Sequence, residues 1–237
     1  MSKSKIEWTE ETWNPITGCT PISEGCKNCY AKKMAKRLQA MGNKRYENGF
    51  LPTFHEELLE KPFHWKKPRM IFVNSMSDIF HEDIKDEDIE KIFKVMNLAK
   101  EHTFQVLTKR SERMVEISKK LTFTKNIWVG VTVENTKAFK RIEDLLKINC
   151  YIKFLSCEPL LEDLKNLKLK GIDWVIVGGE SGHSAREIKK EWVENILKIC
   201  REEKVSFFFK QWGGSNKKKN GNLLNGKKYM EYPKNEK

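Results

Sequence analysis

Short apolar runs and helical patterns alternate along this chain from residue 70 onward, and the alternation predicts an α/β fold on a parallel sheet. Three observations carry the prediction. Strand-like runs recur with a period of about 22–33 residues, with an amphipathic stretch between most of them. The runs are continuously apolar, which suits strands covered on both faces. Each run ends in a polar cluster, and in parallel βα folds the site is built at the carboxyl ends of the strands. Six such units and an N-terminal cysteine segment suit a full or partial TIM-type (β/α) barrel; a doubly wound open sheet is the alternative.

The elements follow in chain order. Residues 6–18, with Trp8, Trp13 and the turn pair Asn14-Pro15, predict an extended segment leading into Cys19. Cys19, Cys26 and Cys29 are spaced C-x6-C-x2-C, and Pro21 and Gly25 make the interval a loop. Ala31, Met34, Ala35, Leu38 and Met41 recur at helical steps after it. Residues 42–69 are broken by glycine and proline. Arg45-Tyr46 and His64-Trp65-Lys66-Lys67 lie there, and read as half-buried surface loop before nucleic-acid contact.

Met70 to Val73 is the first strand, followed by Asn74, Ser75, Ser77 and Asp78. Residues 86–101 predict a helix. Asp86, Glu87 and Asp88 favour its N-terminus, and Ile89, Ile92, Phe93, Met96 and Ala99 form its apolar face. Phe104 to Leu107 leads to Thr108-Lys109-Arg110, with Ser111 as the expected cap of the next helix. Ile127 to Val131 leads to Thr132 and Glu134, then to a helix bearing Ala138, Ile142, Leu145 and Leu146. Tyr151 to Leu155 leads to Ser156-Cys157-Glu158-Pro159, and Trp174 to Val177 leads to Gly178-Gly179-Glu180-Ser181-Gly182. A helix with Trp192, Ile196, Ile199 and Cys200 precedes Val205 to Phe209, which ends in Lys210-Gln211-Trp212. Residues 1–212 therefore predict one α/β barrel-like domain carrying the cysteine loop 19–29. Residues 213–237 predict a basic, partly ordered tail with a hairpin turn at Leu223 to Lys227.

The chain has 237 residues and a net charge of +12, long enough for a substantial core and basic enough to favour a polyanion, nucleic acid first. No secretory signal opens it and no apolar run reaches the ~20 residues of a membrane span. The expected location is the cytoplasm, with no membrane partner, where six cysteines point to metal or redox chemistry over disulfides.

The cysteines carry the functional reading. A short loop that gathers three thiolates suits an iron–sulfur cluster. A [4Fe–4S] cubane held by three cysteines leaves one iron open to a group that is not protein. Structural zinc takes four protein ligands, so the alternative of a zinc-stapled, non-catalytic nucleic-acid-binding protein needs a distant fourth, Cys157 or a histidine. A third reading is a magnesium-dependent nuclease or hydrolase using Asp78, Glu134 and Glu158. Lys109, Arg110 and Lys210 suit a clamp on a carboxylate or phosphate. Cys150 and Cys200 read as core, and the five histidines show no metal-ligand spacing.

Several of these motifs, taken in order, resemble a phage-associated three-cysteine-motif family of unknown function with radical-SAM-like character. They are Ile6-Glu7-Trp8-Thr9, Trp13-Asn14-Pro15, Thr17-Gly18-Cys19, Gly25-Cys26-Lys27-Asn28-Cys29-Tyr30-Ala31 and Ile71 through Asp78. Phe104 through Arg110, Ser156 through Leu160, Val177 through Gly182 and Phe208 through Gly213 complete the set. The resemblance implies a [4Fe–4S] cluster on Cys19, Cys26 and Cys29. It also implies S-adenosylmethionine on the open iron, cleaved to a 5′-deoxyadenosyl radical that abstracts hydrogen from a substrate. On that reading Gly178, Gly179, Glu180 and Ser181, with Asn74, Ser75 and Asp78, bind the cofactor. From the residues themselves, Cys157 reads as a hydrogen-atom donor, a fourth metal ligand or a buried small hydrophobe; Glu158 as an acid–base group, a ribose contact or a partner of the cations; and Lys109 as an anion clamp or a surface salt bridge. The chain departs from the radical-SAM pattern in three places. Its first cysteine interval is six, not three. Asn28 precedes the third cysteine where an aromatic is usual. The Gly-Gly-Glu element follows a late strand, not the second. Whether a partner protein completes the site stays open.

Overall fold

The computed structural model describes residue 4 and residues 6–233. A seven-stranded sheet organises it: β1 (Glu11–Trp13), β4 (Met70–Val73), β5 (Thr103–Thr108), β6 (Ile127–Thr132), β7 (Ile152–Cys157), β8 (Trp174–Gly178) and β9 (Ser206–Gln211). All neighbours are parallel, in the order β1-β4-β5-β6-β7-β8-β9. The order never doubles back, which rules out the doubly wound alternative. A small antiparallel pair, β2 (Ile16–Thr17) and β3 (Thr53–Phe54), sits beside the first strand. The helices are α1 (Tyr30–Ala40), α2 (Asp86–Leu98), α3 (Ser111–Ser118), α4 (Lys140–Leu146), α5 (Lys190–Glu202) and the short α6 (Lys217–Asn220).

The sheet is curled. In a flat sheet β4 and β8 would stand about 19 Å apart, at roughly 4.8 Å per strand. Yet the Trp8 ring lies 4.7 Å from Phe72 on β4 and 6.3 Å from Trp174 on β8. One indole reaches both only if the sheet wraps around it, so the fold is a half-barrel. Its concave face carries Phe72, Trp128, Phe154, Trp174, Ile176 and Phe208, closed from below by Trp8. Its convex face, with Val106, Val129, Leu155, Val175 and Phe209, packs under the helices. The strands are apolar on both faces because both are covered.

The helices obey their sequence patterns with instructive exceptions. α2 buries Ile89, Ile92, Phe93 and Met96 and keeps three acids in its first turn. α1 buries only Ala31 and Ala35; Met34 and Met41, expected on the same face, are exposed. Ser111 is the first residue of α3 and does not cap it; its hydroxyl donates to Asp144 Oδ2 at 2.9 Å. Between β7 and β8 there is no helix among the described residues, and Leu164, Leu167 and Leu169 fill the outer layer instead.

The residues after β9 return to it. Phe209 N–H donates to Tyr229 O at 2.8 Å and Glu231 N–H to Phe207 O at 3.2 Å. These bonds satisfy the otherwise open edge of β9. The turn that reverses the chain is the Leu224–Lys227 bridge, with Asn225 and Gly226 at φ 52° and 75°. Positive φ at both central residues is the requirement of a type I′ hairpin. No helix among the described residues is long and apolar enough to cross a membrane.

Candidate functional site

The first cysteine is placed by two neighbouring strand ends. Beyond β1 and β4 the chains run side by side and interlock. Asn14 Oδ1 accepts from the Ser75 hydroxyl at 3.1 Å and from Met76 N–H at 3.0 Å. Asn74 Oδ1 accepts from Ile16 N–H at 3.2 Å, and Gly18 N–H donates to Met76 O at 3.0 Å. Asp78 ties this pair to β5, accepting from the Thr108 hydroxyl at 2.7 Å and Lys109 N–H at 2.9 Å. Arg110 then bolts down the start of the loop. It donates to Glu82 at 2.6 Å, to Thr20 O at 3.1 Å and to the Thr20 hydroxyl at 2.9 Å, and its Nη1 stands 3.4 Å from Cys19 Sγ.

The far side of the loop is held at β8. Asn28 Nδ2 donates to Glu180 Oε2 and to Ser184 O, each at 2.8 Å. Arg186 brackets Glu180, with Nε 3.0 Å from Oε2 and Nη2 2.5 Å from Oε1, and also donates to Glu24 O at 3.0 Å. Burial opposes ionisation of Glu180, yet the hydrogen bonds from Arg186 and Asn28 outweigh it and hold the carboxyl at about 2. The Tyr30 hydroxyl donates to Ser75 O. Loop 19–29 therefore roofs the carboxyl ends of the strands from β5 to β8. Gly179 serves the same construction: a Cβ there would lie 2.1 Å from Trp212 O, so only glycine admits the crossing. Gln211 Nε2 donates to Ser181 Oγ at 2.6 Å and closes this corner.

Under the roof the concave face turns polar. Strand parity continues Trp128 to Thr132, Phe154 to Ser156 and Glu158, and Phe208 to Lys210. Lys109 Nζ donates to Thr132 Oγ1 at 3.3 Å. Lys210 Nζ pairs with Glu158 Oε1 at 2.9 Å, while Trp8 Nε1 and the Ser156 hydroxyl donate to its other oxygen at 3.2 and 3.3 Å. Glu134 is 1% exposed; Arg141 donates to its Oε2 at 2.7 Å, but Oε1 has no hydrogen-bond partner. Against burial, Lys109 and Arg141 keep the Glu134 carboxyl below its ordinary value.

The three loop thiols are free and partly exposed. Burial, with the Asp78 charge, pushes Cys19 up to about 11, against the pull of Arg110. For Cys26 burial is outweighed by hydrogen bonds from its own turn and by the Lys109 charge, and its value falls. Three unbridged thiols on one loop, none shared with another partner chain segment as a disulfide, match the donor chemistry of a cluster whose irons each take one thiolate. Glu134 Oε1 lies buried beneath the loop, beside Gly25.

Several of the expected site residues have structural contacts of their own. Cys157 does not join the site. Strand parity turns it to the convex face, where it is fully buried in the helix-side core and burial pushes its thiol well up. Asn74, Ser75, Asp78 and Arg110 position the cysteine loop, as do Glu180 and Ser181 with Gly178-Gly179 behind them. Lys109 and Glu158 face the concave interior, and Lys210 joins them. Asp78, Glu134 and Glu158 do not converge: each is taken by its own cation or donors, so the magnesium arrangement is not formed. Among the described residues no three His, Cys, Asp or Glu side chains meet as the ligands of one metal ion, Cys19, Cys26 and Cys29 included, so the three thiols are not drawn together into a finished ligand set for a cluster or for zinc. Trp8, Asn28 and Arg186 are the contributors that sequence reasoning missed. In the sequence Asn28 stands out only as an odd residue before Cys29, and its partner lies 152 positions away.

No curated protein matches the chain. Among solved structures, spore photoproduct lyase complexed with dinucleoside spore photoproduct superposes with a TM-score of 0.51 at 10% identity, covering 85% of this chain and 63% of that one. A cysteine-to-serine mutant of the lyase gives 0.49 at 11% identity, covering 85% and 63%. The chain thus spans under two thirds of these structures, and the likeness is one of fold, an α/β half-barrel. The sequence match reaches further, over residues 3–233, and places the chain in the family described as "Protein of unknown function (DUF5131)".

Proposed function

We propose that the protein is an iron–sulfur enzyme of the radical-SAM type, acting on nucleic acid or a nucleotide-derived molecule. The observation that carries the reading is the cysteine loop itself. It is anchored by Arg110 on one side and by Glu180 and Arg186 on the other, directly over the polar interior of the half-barrel. Cys19, Cys26 and Cys29 would hold a [4Fe–4S] cluster, with S-adenosylmethionine as its companion. When bound, the cluster supplies single-electron chemistry. The chain's own residues then have defined tasks. Lys109 and the unpartnered Glu134 oxygen offer a cation and an acceptor below the loop. Glu158 and Lys210 form an ion pair that faces the interior. Trp8, Trp174 and Phe154 close the floor and exclude water there.

The substrate class rests on the net charge of +12 and on the dinucleoside ligand named for the lyase of similar fold. Thiolate-held clusters persist in reducing surroundings, which fits the cytoplasm. Anaerobic reconstitution tests the reading: about four irons per chain, a brown protein, and reductive cleavage of S-adenosylmethionine are expected. Each of Cys19→Ser, Cys26→Ser and Cys29→Ser should abolish all three signals. A colourless protein that retains one zinc per chain overturns the proposal.

A further inference from the structure

Between Glu24 and Glu47 the chain carries seven lysines and arginines and no acid. Residues 213–237 hold a further excess of five, so the rest of the chain is neutral. The whole positive balance is thus concentrated in two segments, and the first is α1 with the turns around it.

α1 seats itself on the body through small residues, Ala31 and Ala35, with Leu38 half-buried, and turns its long side chains outward. Lys32, Lys33, Lys36 and Arg37 are exposed, and among the described residues none makes an ion pair. In the same segment Arg45 pairs with Glu57 at 3.5 Å. Elsewhere on the surface some lysines are paired: Lys91, Lys120 and Lys147 each sit within 3 Å of an acid. A paired lysine must give up an acid to meet a phosphate; those of α1 need not. Tyr30 and Met34 lie on the same outer surface, 54% and 43% exposed. α1 starts directly after Cys29. Lys33 Nζ comes within 3.8 Å of where a Cβ on Gly182 would stand, in the loop after β8. The cations therefore begin at the rim of the half-barrel.

We propose that the outer face of α1 is the surface on which a nucleic-acid strand lies. Its phosphates meet Lys32, Lys33, Lys36 and Arg37, and a base stacks on Tyr30 beside the cysteine loop. Unpaired cations interleaved with an exposed aromatic are the elements of single-strand binding. A basic amphipathic helix can also lie on an anionic bilayer, but that needs a broad insertable face. Here only Tyr30, Met34 and Met41 are large, apolar and exposed on this segment, while Ala31 and Ala35 are spent on the body. Nucleic acid is the better fit. The inference rests on the nucleic-acid half of the proposed function and is independent of the cluster.

The test is fluorescence anisotropy with a labelled 20-nucleotide single-stranded DNA and RNA across a salt series. Wild type is compared with a Lys32→Gln, Lys33→Gln, Lys36→Gln triple and with a Lys219→Gln, Lys227→Gln, Lys228→Gln triple in the other basic segment. Thermal melts confirm that both triples fold. The α1 triple should weaken binding at least tenfold and lower the salt slope by about 2, at roughly 0.7 per phosphate contact. The other triple should stay within about twofold of wild type. Wild-type binding that the α1 triple leaves intact overturns the surface assigned here and spares the substrate class. A wild type that binds neither strand overturns both. Sedimentation with phosphatidylserine vesicles, lost in the α1 triple while the oligonucleotides remain unbound, assigns the helix to a membrane and overturns the inference.

Discussion

Replacing Glu180 with glutamine should loosen the roof of the site in a pH-dependent way. A carboxyl that ordinarily titrates at 4.5 is held here at about 2. At roughly 1.36 kcal/mol per tenfold, that difference amounts to about 3 kcal/mol in favour of the folded, ionised form. Arg186 is 30% exposed, so water screens the pair and about 2 kcal/mol is the better expectation. The folded value lies below the unfolded one. The stabilisation is therefore complete above the ordinary carboxylate range and is lost as pH falls toward 2. Urea unfolding of the metal-free protein reads it directly. Wild type should exceed Glu180→Gln by about 2 kcal/mol at pH 7, and the gap should shrink to about half by pH 3. Loop 19–29 should also become more sensitive to protease in the variant, since Asn28 loses its anchor. A gap that is the same at pH 7 and pH 3, or one below about 0.5 kcal/mol throughout, refutes the reasoning; a lost surface pair is worth no more than that.

Three further outcomes follow from single contacts. Trp8→Ala should cost about 3–5 kcal/mol in chemical unfolding, because the indole is 2% exposed and fills the floor between β4 and β8. Trp8→Phe should recover most of that stability while leaving Glu158 short of one donor. Cys157→Ala should cost about 1–2 kcal/mol through its core position yet leave the iron content of reconstituted protein unchanged, opposite to Cys29→Ser, which should remove the iron with little effect on the melt. Gly179→Ala should destabilise by more than about 2 kcal/mol, since its Cβ meets the Trp212 backbone. Gly178→Ala meets only a Glu158 side-chain oxygen, which can swing away, so its signature should be a milder melt with a disturbed Glu158–Lys210 pair.

Much of the architecture was legible in the residues. The apolar runs beginning at Met70, Phe104, Ile127, Tyr151, Trp174 and Val205 all became strands of one parallel sheet, because burial on both faces leaves no other composition available. The acidic start and apolar face of α2 and the Asn225-Gly226 turn follow from equally local rules. Apolarity on both faces also hid something. Since period-two alternation is absent from such strands, nothing local says whether Cys157 or Glu158 looks inward, and of the readings open for Cys157 the structure takes the buried small hydrophobe. Met34 and Met41 misled for a related reason: the helix that carries them is seated by alanines.

What the sequence alone determined is the set of strands, the loop that bears three thiols, and the excess of positive charge. Only the tertiary structure decided which residues serve that loop. Trp8 meets Glu158 across 150 positions and Asn28 meets Glu180 across 152. Such encounters depend on how tightly the sheet curls, and curl is a property of seven strands together, not of any stretch of chain.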